Sequence, residues 1–150
     1  MGTAINGIAA KIKELDGLGS LSPVAVELIN IIDKPKTKIE EIESLVKLDK
    51  VLYANVFKYL KSAAFGLRRV PTNIEEAIHY LGLHGLRDLI FLLASRKFFS
   101  GSNNWAKSVF VAFAARKIAN RLSLHPNISS NIYSAALMYD LGFLVLLKRN

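Results

Sequence analysis

Apolar residues recur at intervals of three and four along almost the whole 150-residue chain, and no segment alternates apolar with polar over a useful length. That periodicity predicts helices nearly everywhere. Ile5, Ile8, Ile12 and Leu15 share one face of a helix expected over 4–15, which "DGLGS" (16–20) breaks. The Gly-x-Gly in that stretch follows no strand, so it reads as a turn and not as a phosphate loop. In "SPVAVELINII", Ser22 is placed as an N-cap and Pro23 at the first helical position. Pro35 ends that helix, because it pushes its predecessor out of the α region. A short acidic helix is expected around 38–47. Asp49 caps another over 50–63, with Leu52, Val56, Tyr59, Leu60 and Ala63 facing inward. Residues 65–71 read as a loop. The spacing of Thr72 and Glu75 predicts a capping box ahead of "EEAIHYL". Gly82 separates that helix from one over roughly 84–98. A long helix runs from about Asn104 to Leu122, and the last covers about 130–148. The expectation is one all-α domain of about eight helices, with no sheet.

Apolar residues make up 51% of the chain and the mean hydropathy is +0.28. Such a composition excludes disorder and predicts helices buried on more than one face. The apolar runs at 89–95 and 109–115 are too short to cross a bilayer, and the first residues lack a signal-peptide layout. A cytoplasmic location, away from membranes, is therefore expected. With no cysteine, disulfides and thiolate metal sites are excluded.

The net charge of +8 is unevenly spread. Residues 1–50 carry 7 basic and 8 acidic side chains, residues 51–100 carry 7 and 3, and residues 101–150 carry 6 and 1. A basic C-terminal two-thirds would suit an anionic partner, nucleic acid or nucleotide included. Charge alone supports that reading, because no basic aromatic strand or recognition helix accompanies it. Lys58, Lys61, Arg68 and Arg69 bracket one loop and form a candidate site for an anion or an acidic partner. Arg116, Lys117 and Arg121 form a weaker cluster.

Catalytic patterns are sparse. His79 and His84 lie five apart, about 140° round a helix, with Gly82 between them, which does not suit a shared metal. His125 precedes Pro126 in a loop. Glu75 and Glu76 fall in a first helical turn, where acids favour the helix dipole, and read as capping residues. No serine is marked as activated. One acid is less easily placed. Asp140 lies in "SAALMYDLGFLVLL", an apolar run, where an unpaired carboxylate is costly. Lys107 shares a predicted face with Val111, Ala114 and Ile118, and Asp140 shares one with Ala136 and Leu144. Both faces are expected to be buried, so an internal Lys107–Asp140 ion pair is predicted.

Several segments, taken in order, resemble the HDOD domain, the HD-related output domain of bacterial signalling proteins. "LSPVAVELINIID" is similar to that family's opening Leu-Pro-x-Leu-Pro-x-Val helix. The stretch from "LVKLDK" through "SAAFG" to "EAIHYLGLHGLR" resembles its core. "NWAKSVFVAFAARKIA" resembles its Trp-x-His-Ser helix, and "AALMYDLGFLVLL" the segment carrying His-Asp-Ile-Gly. The resemblance implies an HD-like helical bundle. In catalytic HD relatives, a histidine on one helix and a His-Asp dyad on another hold a metal that activates water for phosphate-ester hydrolysis. In this sequence the first position is Lys107 and the dyad is Tyr139-Asp140; Lys61 stands where the family usually has asparagine. A protonated ammonium cannot ligate a metal, and a neutral phenol is a poor ligand.

The resemblance therefore implies a degenerate site with no metal, no cofactor and no catalysis. It implies a regulatory module whose partners are other signalling proteins or domains, with self-association also open. An HD-type metal phosphohydrolase and a nucleic-acid or nucleotide binder are the alternatives. "GFLVLLKRN" stops without a helix cap, so a partner chain, or further sequence of a longer protein, is expected to cover it.

Overall fold

The computed structural model of the protein describes residues 21–62, 69–99 and 104–141. Six α-helices and one 3₁₀ turn make up these residues, with no strand among them. The helix expected over 4–15 and the turn at 16–20 lie outside the described residues, so the expected total of about eight helices is not reached within them.

Helix α1 (Pro23–Ile32) starts as its local chemistry dictates. Ser22 Oγ accepts from the Ala25 amide at 3.1 Å, and proline occupies the first turn. Helix α2 (Ile39–Leu48) has no side-chain cap, and Glu40 and Glu41 favour its N-terminal dipole instead. Asp49 caps α3 (Lys50–Leu60) through the Leu52 amide at 2.9 Å, and Leu52, Val56 and Leu60 form its buried stripe. Tyr59, expected inward, is only partly buried.

The capping box before α4 (Ile74–Ser95) sits one residue later than the Thr72–Glu75 spacing predicts. Asn73 Oδ1 accepts from the Glu76 amide at 2.7 Å, and the Glu76 carboxylate accepts from the Thr72 amide at 2.8 Å. Asparagine is as good a cap as threonine, and Asn73 leaves Ile74 as the first helical, fully buried residue. Gly82 interrupts the helix with φ 71° and ψ 166°, a conformation open essentially to glycine alone. The expected break is therefore real, as a kink within one span.

A 3₁₀ turn (Arg96–Phe99) follows α4, and then come α5 (Asn104–Arg121) and α6 (Pro126–Leu137). Helix α6 begins four residues earlier than expected, because His125 Nδ1 accepts from the Asn127 amide at 3.3 Å and Pro126 takes the first turn. It also stops at Leu137, and residues 138–140 form turns.

Helix α4 is the hub, in contact with α1, α2, α3 and α6. Leu86, Leu89, Ile90 and Leu92 bury on it against Leu28, Val56, Leu60, Tyr133 and Leu137 in the same core. Each fully buried leucine contributes roughly 1.5–3 kcal/mol. By length and composition alone, Ile74–Phe99 is apolar enough to cross a membrane, which is weak evidence for a span; in this structure its α4 part packs against α1, α2, α3 and α6. Helices α5 and α6 form the most extensive helix pair. The buried positions of α5 are Ser108, Ala112 and Ala119, small residues that let the two helices approach closely.

Candidate functional site

The three positions singled out by the sequence lie where α5 begins and α6 ends. Asn104, the first residue of α5, donates from Nδ2 to Asp140 Oδ2 at 2.8 Å. Asp140 is half-buried in the turns after α6, and Tyr139 beside it is 47% exposed. The predicted Lys107–Asp140 ion pair is not formed. Lys107 is exposed, and among the described residues no lysine or arginine nitrogen lies within 4.0 Å of the Asp140 carboxylate.

Two facts explain the difference. The buried face of α5 runs through Ser108, Ala112 and Ala119, so Lys107 is turned outward and Ile118, on its predicted face, is 59% exposed. The end of α6 at Leu137 also takes Asp140 off the face of Ala136. It meets the first turn of α5, where a neutral amide and the positive end of the helix dipole stabilise it without burying a cation. These positions do not fit the metal of catalytic HD relatives. Among the described residues, no group of three or more His, Asp or Glu side chains is placed to hold a metal ion.

A second polar cluster lies deeper and was not anticipated as a unit. Arg87 and Asp88, adjacent on α4, are both buried. Arg87 Nε lies 3.3 Å from Asp33 Oδ2 at the end of α1, and its Nη2 donates to Asn131 Oδ1 of α6 at 3.2 Å. Asp88 is ion-paired with Arg116 of α5, whose guanidinium carbon is 5.9 Å from the centroid of the Tyr133 ring. Two cations and two carboxylates thus balance while joining four helices. Burial pulls the Arg116 pKa below its ordinary value, with Tyr133 acting the other way. Burial pushes the Tyr133 phenol up, so it stays protonated and cannot serve as a base at neutral pH.

His84 stands at the edge of this cluster, Nδ1 3.9 Å from Asp33 Oδ1. Burial pulls its pKa down; Asp33 opposes that, while Arg87, Arg116 and His125 add to it. His79 donates from its ring to the Glu75 carbonyl at 3.2 Å on the exposed side of α4. The histidines thus serve local roles.

The basic residues singled out by the sequence differ in their settings. Lys58 and Lys61 are exposed, Arg69 pairs with Glu76 at 3.3 Å, and Arg68 lies outside the described residues. Arg116 turns inward to Asp88, while Lys117 and Arg121 face solvent. Neighbours in sequence point about 100° apart on a helix, so adjacency misleads here. The missed signal was "LRDLIFLL", two charges ahead of an apolar run, the same signal that singled out Asp140.

The described residues form an all-helical domain with no strand among them. A family model for the HDOD domain matches residues 18–150, and the chain belongs to that family. It is 24% identical, over 149 residues, to an uncharacterized protein of Treponema pallidum (strain Nichols), covering 95% of this chain and 29% of that one. It also superimposes on the crystal structure of an HDOD domain protein of unknown function from Geobacter sulfurreducens. There the TM-score is 0.73 and the identity 29%, over 90% of this chain and 47% of the other. The chain thus spans under a third of the first relative and about half of the second.

Proposed function

We propose that this domain is a non-catalytic regulatory module of bacterial signalling, acting in the cytoplasm by contact with other proteins or domains. The observation that carries the reading is the Asn104–Asp140 hydrogen bond. It engages the one carboxylate left of the dyad, while the two neighbouring positions hold an exposed ammonium and an exposed phenol. Metal-assisted hydrolysis needs a metal ion with an open coordination position for water, and these side chains do not build one. The outward face of α5 supports the contact role. Phe110 and Ile118 are 73% and 59% exposed there, and Leu122, in the turn just after the helix, is 67% exposed, apolar area that a protein partner would remove from water.

The test is metal analysis of the purified protein, together with turnover of a generic phosphodiester in added Mn²⁺. Substoichiometric metal and no turnover are expected. Stoichiometric metal that is lost in Asp140→Asn, or turnover abolished by that change, would overturn the reading.

A further inference from the structure

A cavity of about 420 Å³ opens between α4, α5 and α6, within the size range of small-molecule sites. It is remote from Asp140. Arg116, on its wall, is 12 residues along α5 from Asn104, about 18 Å on a helix.

Its walls are of two kinds. Leu89 and Leu92 supply an aliphatic side. Tyr80, Phe113 and Tyr133 supply rings, the last two packed edge-on at 5.5 Å and 75°. Such fixed rings favour a flat partner, which can stack or meet them edge-on. The polar groups are Asp88, Arg116, Lys117 and Asn120. Both Asp88 oxygens are buried, and the carboxylate is paired with Arg116. Asp88 therefore holds the guanidinium in place and presents no acceptor of its own to the cavity. The charges on the wall are two cations and one anion, so the lining favours a negative ligand.

We propose that this cavity binds a small molecule with a planar aromatic body and one anionic group. The body lies among Tyr80, Phe113 and Tyr133, and the anion meets Arg116 and Lys117 at the mouth. Asp88 is a positioning residue for Arg116. The proposal does not depend on the metal-site reading, and either can fail alone.

The probe is anilinonaphthalene sulfonate, an aromatic anion whose fluorescence rises on transfer from water. Saturable binding with one dye per protein is expected, accompanied by shifts of the Gly85 backbone amide and the Asn120 side-chain amide in NMR spectra. Lys117→Glu, on an exposed side chain, should weaken binding about tenfold, and Tyr80→Ala should weaken it as well. Phe110→Ser, on the exposed face of α5, should leave it unchanged. Competition by an aromatic carboxylate and an aromatic phosphate identifies the preferred head group. The proposal is overturned if binding does not saturate, if Lys117→Glu binds as tightly as the parent, if neither competitor displaces the dye, or if uncharged naphthalene competes equally well.

Discussion

Arg116 reaches inward from α5 to the Asp88 carboxylate of α4, and the Tyr133 ring of α6 lies beside its guanidinium. Asp88 is 3% exposed and can be reached by few other cations, so its burial depends on this partner and on Arg87, whose Nη1 is 3.9 Å away. Replacing Asp88 by Ala leaves both guanidiniums facing a site that no longer holds a charge. Loss of one partner of a buried pair costs about 3–5 kcal/mol. The lower end is expected, because Arg116 retains some access to water. Urea denaturation of Asp88→Ala measures it, and a cost under about 1 kcal/mol would contradict the assigned pairing.

The partner of Asp140 can be tested by contrast. Asn104→Ala removes a hydrogen bond to a charged group and should cost about 1.5–3 kcal/mol. Lys107→Met should change stability by no more than about 0.5 kcal/mol, as for an exposed residue outside any network. If the two changes were equal, or their order reversed, Lys107 would be the true partner.

Gly82 has φ 71°, and a Cβ added there meets no atom within 4 Å. The cost of Gly82→Ala is therefore conformational, with no clash to relieve, and should be about 1–3 kcal/mol. Thermal unfolding should place the variant several degrees below the parent. A neutral outcome would mean that the kink is not at this residue.

Two groups give the stability a pH dependence. The pKa of His84 is lowered on folding, chiefly by burial, so the unfolded chain binds more protons near neutrality. Stability should fall as pH drops below the ordinary histidine value of about 6.5 and level off below the folded pKa. His84→Gln should flatten that limb. The pKa of Glu76 is lowered by its bonds from the Thr72 amide and hydroxyl. Its contribution is present above the ordinary carboxyl range and is lost on further acidification, so Glu76→Gln should flatten the acid limb instead. Denaturation midpoints measured from about pH 2 to 8 check both.

Rules that act within a few residues read well from the sequence. Ser22 and Pro23, Asp49, and the break at Gly82 each depend on one turn of chain, and each is found where expected. The Thr72–Glu75 box missed by one position because Thr72 and Asn73 are both competent caps, and the burial of Ile74 decides between them. The Lys107–Asp140 pair failed for a tertiary reason. Its geometry needed α6 to continue past Leu137 and the buried face of α5 to include Lys107. Neither condition can be read locally, since α5 buries small residues that carry a weak periodic signal. Arg87 and Asp88 were readable as charges beside an apolar run, but their partners Asp33, Arg116 and Asn131 come from three other helices.

The Arg87–Asp88 pair also bears on how the domain comes apart. Through these two adjacent residues α4 is tied to the end of α1, to α5 and to α6. Withdrawing any one of those helices strands a charge or an amide inside the remainder, at a cost that falls on all of them. Peeling away one at a time is thereby discouraged, and a single all-or-none melting transition is favoured. Slow amide exchange should then extend across α1, α4, α5 and α6 as one block, and not fade from the centre outward.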